Sequence, residues 1–209
     1  MRIDAHQFFT PEHTPEHLAP ILKRNKFEGS IAIARDEVET RQFLAFAELY
    51  DFIRGVVGIG GTGHRKFVGE SRFEVLDPIA ALNLAQRHPG RKIAIVQLGS
   101  PPVGRGGEDQ WAAAIERAAQ HPAIYCKASG LLGLVPQPWK ADPLRPYVQH
   151  VLHVFGPSRV MFGSDWPSRL PESIWKESLA IFIQAIGAQT METREELLGG
   201  TAARFYGIS

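Results

Sequence analysis

The chain is short of the features that mark most specialised protein classes. A single cysteine, Cys126, stands among 209 residues, so no internal disulfide can form and a reducing compartment is the expected setting. There is no excess of charge: 23 Lys and Arg face 22 Asp and Glu, leaving a formal +1. That balance provides no basic footprint for a nucleic acid or an anionic membrane, and a small-molecule substrate is the expected partner. No apolar run approaches the roughly 18 to 20 residues that a bilayer demands. Met1-Arg2-Ile3-Asp4 begins no basic stretch followed by an apolar core, so the sequence reads as cytoplasmic. Internal repeats and low-complexity tracts are lacking as well.

What remains is an ordinary globular composition, 44% hydrophobic and 22% charged, and one domain over residues 1–209 is expected. Short β-branched apolar runs alternate with segments of helical period, the pattern of βα units around a parallel sheet. The runs lie at 2–5, 30–34, 53–59, 72–76, 92–98, 123–127 and 159–162, with a weaker eighth at 64–68. Thr14 followed by Pro15 predicts a helix start, with Leu18, Ile21 and Leu22 on one face. Leu144, Tyr147, Val148, Val151, Leu152 and Phe155 recur at helical steps; His150 falls off that stripe. Thr193 with Glu196 fits a capping box for a short last helix. The fold expected is a (β/α)8 TIM-barrel-like α/β domain. It is shortened around 60–72, where the gaps between strands are too brief for the dozen or so residues of a parallel crossover.

In such a barrel the chemistry sits where strands end at the C-terminal rim. Asp4-Ala5-His6-Gln7 ends the first strand and Gly163-Ser164-Asp165-Trp166-Pro167 follows the last, so closure would bring His6 to Asp165. A carboxylate there can take a proton from water, and an imidazole can orient that water or hold a metal. Lys127 interrupts a strand expected to be buried, where an ammonium needs a polar cavity or an ionic partner, either Asp165 or a Glu. Gln97 reads as a pocket residue or a hydrogen-bond spacer. His13, His17, His88, His121, His150 and His153 read as surface groups, and residues 104–107 as a flexible rim loop.

In order, "IDAHQFF", "VETRQFLAFAE", "FIRGVVGI", "IYCKASGL", "LRPYVQHVLHVFGPSRVMFGSDWP" and "LLGGTAARFYGI" resemble the landmarks of the amidohydrolase-related, lactonase-type family of the amidohydrolase superfamily. The resemblance implies hydrolysis of a lactone, such as a sugar lactone or a pyrone dicarboxylate lactone, or of another carboxylic ester. It implies Asp165 as general base, with His6 and Lys127 stabilising the oxyanion, and Gln97, His64, Arg65 and Trp166 as substrate-binding residues. Two family histidines are replaced: Phe8 stands at the second of a His-x-His pair, and Gln97 in an Asp-His-Leu-Gly-type motif. His64-Arg65 matches the family's Arg-His pair in reversed order. His6 and Asp165 are then the remaining candidates for metal ligands, short of a full zinc set. No cofactor is expected beyond a loosely held divalent ion such as zinc. The alternative is a catalytically degenerate homologue that binds a small molecule, or pairs as a homo-oligomer across the seam of a shortened barrel.

Overall fold

The computed structural model describes residues 1–58, 72–167 and 173–208. The weak strand at 64–68, with His64 and Arg65, and all but the last residue of the shortened stretch at 60–72 lie outside the described residues.

Strands β1 (Ile3–Gln7), β2 (Gly29–Ile33) and β3 (Ile53–Val57) pair in parallel and in sequence order. A second parallel set follows: β4 (Phe73–Val75), β5 (Ile93–Ile95), β6 (Ile124–Ala128) and β7 (Val160–Phe162). The chain after β7 returns to β1, where Asp165 N–H donates to His6 O at 2.8 Å and Phe8 N–H to Trp166 O at 2.7 Å. Each of the seven stronger runs thus overlaps a strand: β1, β2 and β6 are offset from theirs by one or two residues, and the other four strands are shorter than their runs by up to four residues. The largest loss is at 92–98, where Gln97–Gly99 leave the strand in a tight turn with φ +51, +54 and +71 at Gln97, Leu98 and Gly99.

Helices cross between the strands: α1 (Pro15–Arg24), α2 (Glu37–Leu49), α3 (Pro78–Arg87), α4 (Glu108–Ala119), α5 (Arg145–Phe155) and α6 (Ser173–Ile186). The short α7 (Met191–Glu195) and α8 (Thr201–Tyr206) finish the chain. The cap of α7 is Thr190, which accepts from Thr193 N–H at 3.1 Å; the expected cap, Thr193, lies one turn further in. Asp36 caps α2 by accepting Glu39 N–H at 2.8 Å. Asp36→Ala should therefore lower stability by about 1 kcal/mol in denaturant titration, the usual worth of such a cap. No helix among the described residues is long and apolar enough to cross a membrane.

Alternation along the strands sorts side chains into two layers. Ile93, Ile95, Ile124, Cys126, Val160 and Phe162 point outward into the layer shared with Leu18, Phe43, Ile115, Val151 and Phe182 of the helices. Their neighbours Ala94 and Met161 join Ile3, Ala5, Ile31, Val57, Phe205 and Tyr206 inside the barrel. Parallel register carries the parity across: Glu74 pairs with Ala94, Ala94 with Tyr125, and Lys127 with Met161. Glu74 and Lys127 are therefore inner-face residues, two opposite charges that strand parity directs into one apolar interior.

Candidate active site

His6 reaches this interior through a β-bulge. The pairs Asp4↔Ser30 and Gln7↔Ala32 set three steps of β1 against two of β2. One extra residue reverses the parity of the strand's end, so Asp4 faces outward while His6 turns in. Outside the barrel Asp4 is fully buried and accepts from Ser164 N at 2.8 Å, Trp175 Nε1 at 2.8 Å and Ser164 Oγ at 2.5 Å. Burial pushes its carboxyl up, and the Ser164 and Trp175 hydrogen bonds pull back against that. This clasp ties β1 to the segment that carries Asp165. The residue after β7 must be glycine here, because a Cβ on Gly163 would stand 2.5 Å from that of His6.

Inside the barrel the polar groups form one chain of contacts. Lys127 Nζ donates to Glu74 Oε1 at 2.6 Å and to Ala5 O at 2.7 Å, and stands 3.5 Å from His6 Nδ1. Tyr206 O–H donates to the same Glu74 oxygen at 2.6 Å. Glu74 Oε2 lies 3.7 Å from His6 Nδ1, and on the other side of the ring His6 Nε2 lies 3.5 Å from Asp165 Oδ1. Phe8, at a family histidine position, meets the His6 ring edge-on at 5.2 Å. Burial pushes the Glu74 carboxyl up, but the Lys127 ammonium and the His6 contacts outweigh it and bring it to about 2. Burial lowers Lys127, and the charge of Glu74 opposes that loss.

A carboxyl held low in the folded state contributes stability that is present above its ordinary 4.5 and is lost as pH falls toward 2. Acid unfolding followed by circular dichroism should accordingly steepen below about pH 4.5, and Glu74→Gln should flatten that limb.

Asp165 is the member of the chain that meets open space. With Gln97, Ser100, Arg105, Gln137 and Trp139 it lines a cavity of about 700 Å³ at the rim. Its φ of +60 is the left-handed region, which Asp tolerates better than most residues. Gln97 shares that strain at φ +51, and its amide packs so closely on Gly130 that a Cβ there would lie 2.9 Å from Gln97 Nε2.

Of the residues singled out in the sequence, His6, Lys127 and Asp165 converge, and Gln97 joins Asp165 at the cavity. Lys127 does not face that cavity: it is 0% exposed and its partner is Glu74. Trp166 is 1% exposed, packed edge-on against Phe9 and His13 at 6.5 and 5.6 Å, and belongs to the core instead of the cavity wall. His13, His88, His121 and His150 are half-buried and thus less exposed than expected: His13 lies against Trp166, His88 lies 4.9 Å from the Phe73 ring, and His150 lies 5.4 Å from the Trp111 ring, beside a separate cavity between α4 and α5. Glu74 and Tyr206 were given no role, and Asp4 was named only as part of the strand end that carries His6, although a charge between Phe73 and Val75 carries the same signal as Lys127.

A catalytic zinc takes three protein ligands and an open position. Among the described residues no group of three His, Cys, Asp or Glu side chains is disposed to hold a metal. His6 Nε2 and Asp165 Oδ1 make two donors, and the remaining imidazole nitrogen faces Glu74 and an ammonium. This donor set does not fit a superfamily-type zinc site.

The amidohydrolase profile Amidohydro_2 matches residues 34–208. The chain belongs to the amidohydrolase family. Among its family relatives, an L-fucono-1,5-lactonase of Burkholderia ambifaria is 36% identical over 141 residues, covering 62% of this chain and 46% of that protein. An L-fucono-1,5-lactonase of Burkholderia multivorans is 29% identical over 196 residues, covering 88% of this chain and 64% of that protein. The chain thus spans about half to two thirds of the length of these relatives. An amidohydrolase of Burkholderia multivorans, solved with zinc bound, superposes with a TM-score of 0.81 at 22% identity, with 100% of both chains covered. The fold of this amidohydrolase is accordingly TIM-barrel-like, as the sequence pattern implied.

Proposed function

We propose that this amidohydrolase hydrolyses a lactone, with Asp165 as the general base that activates water. The observation that carries the reading is the cavity of about 700 Å³ with Asp165 in its wall and His6 behind it at 3.5 Å. The activity of the two Burkholderia lactonases supports the choice of a cyclic ester.

In this reading the lactone carbonyl faces Asp165, and a water between them loses its proton to the carboxylate as its oxygen bonds to the carbonyl carbon. The Gln97 amide and Ser100 hydroxyl, in the same wall, donate to the oxygen on which charge develops. Collapse breaks the bond to the ring oxygen, and the proton held at Asp165 passes to that leaving alkoxide, which yields the open hydroxy acid. His6 orients the Asp165 carboxylate. Lys127 works one step further back, because its donors point at Glu74, Ala5 O and His6. Glu74 is the charge partner that lets an ammonium stand under the site. Trp166 fixes the segment that bears Asp165. His64 and Arg65 remain candidates for orienting substrate. No step is assigned to a metal.

Turnover in heavy-oxygen water, read by mass spectrometry, tests this directly. Ring-opened product carrying one solvent oxygen is expected; lactone recovered unopened at its spontaneous rate would contradict the proposal.

A further inference from the structure

The site as described gives Tyr206 a hydrogen bond to Glu74 but no part in the chemistry. It arrives from the end of the chain, on the last turn of α8, and it is fully buried inside the barrel. The turn is anchored to the floor of the barrel: Arg72 Nε donates to Phe205 O at 2.6 Å and Lys92 Nζ to Arg204 O at 2.8 Å. Phe205 supplies packing there, with its ring 4.9 Å from that of Tyr125. Tyr206 supplies a hydroxyl in addition, placed 2.6 Å from Glu74 Oε1, and its ring lies 5.3 Å from Lys127 Nζ.

The consequence concerns the other oxygen of that carboxylate. Glu74 Oε1 receives both Lys127 and Tyr206, while Oε2 is buried without a hydrogen-bond partner among the described residues and is directed at His6 Nδ1, 3.7 Å away. A carboxylate facing a lone ammonium is free to rotate and meet it with both oxygens. With two donors converging on Oε1, from β6 and from α8, that rotation loses a hydrogen bond. Oε2 then stays turned toward His6 Nδ1, the nitrogen that Lys127 Nζ also approaches at 3.5 Å, so the set of the carboxylate decides which of the two that nitrogen answers and, with it, which ring nitrogen carries the proton.

We infer that Tyr206 is a positioning residue: from the barrel floor it fixes the Glu74 carboxylate, and through it the orientation and tautomer of His6 behind Asp165. The inference rests on the proposed hydrolytic role of the His6–Asp165 pair for its effect on turnover, but not for its effect on the imidazole. Burial, and then the Glu74 charge, push the Tyr206 phenol upward, so it stays a donor throughout the working range.

The test uses the full chain with ring-nitrogen-labelled histidine, the His6 signals being assigned from a His6→Gln spectrum. In Tyr206→Phe the two His6 ring-nitrogen resonances should move toward each other or exchange character, and in a Phe205→Leu control, which disturbs the same packing and keeps the hydroxyl, they should stay. Lactone turnover in Tyr206→Phe should fall roughly tenfold in kcat with KM unchanged, the scale of a lost partner one shell out. If Tyr206→Phe does not fold, ring-fluorinated tyrosine at 206, a stronger donor of nearly the same shape, should displace the His6 signals in the opposite sense. His6 resonances that are the same in wild type and either Tyr206 variant would overturn the inference, whatever the activity. A wild-type protein without lactonase activity would remove the catalytic reading and leave the imidazole result standing.

Discussion

Lys127→Met should cost about 3 to 5 kcal/mol of stability, the largest single loss expected in this chain. The reason is asymmetry. Lys127 and Glu74 are both buried in the barrel, 2.6 Å apart, and removing the ammonium strands a carboxylate among Ala94, Met161 and Tyr206. For a chain of this size the midpoint of thermal unfolding should fall on the order of 10 °C. The double variant Lys127→Met with Glu74→Leu should recover part of that loss, because the stranded charge is gone while the Tyr206 hydroxyl and Ala5 O still lose their partners. Thermal and urea unfolding of the two single variants and the double give the cycle directly. If the double is as damaged as Lys127→Met alone, the ion pair is not what the barrel interior requires.

The second large effect is on chemistry alone. Asp165→Asn should lower lactone turnover by about a hundredfold to ten-thousandfold, the usual worth of a general base, with little change in KM. Asparagine is the apt replacement because it accepts the left-handed φ of +60 as readily as aspartate, and the backbone hydrogen bond from position 165 to His6 O survives. Thermal stability should therefore stay close to wild type, which separates a lost base from a lost fold. Turnover that persists in this variant would transfer the base role to another group.

The parts of the site visible in the sequence are those that break a pattern locally. Asp165 follows an apolar strand, Lys127 interrupts one, and His6 ends one, so each could be found without knowing its neighbours. Glu74 breaks the pattern in the same way, but its strand has three residues, too few to establish an alternation. Its pairing with Lys127 depends on register across β4, β5 and β6, which no local pattern encodes. The bulge in β1 is hidden for a similar reason: simple alternation puts Asp4 and His6 on one face, and only the partner strand reveals the extra residue. Trp166 resembled a rim residue by position, but its size makes burial beside Phe9 the stronger demand. Tyr206 has the spacing of any core residue on a short helix, and the use of its hydroxyl appears only when the floor of the barrel is assembled.

The order of strands was legible because each run is apolar and β-branched, whereas their ends were overestimated where strained turns begin. Gln97 is the clearest instance. It was read inside a strand, and it stands in a left-handed turn held by Gln97 N–H to Ser129 Oγ at 3.1 Å and by Trp111 Nε1–H to Leu98 O at 2.9 Å. That turn is what brings its amide to the cavity.

The central claim is that a buried network of Tyr206, Glu74, Lys127 and His6 supports one carboxylate in opening a cyclic ester. The most direct measurement is the steady-state rate of ring opening, by proton release, for purified protein on a panel of sugar and aromatic lactones. Saturable turnover well above the spontaneous rate for at least one lactone, unchanged after treatment with a chelator, is the predicted result. Saturable binding of a lactone with no acceleration of its opening would contradict the claim and leave a family member that binds without catalysis.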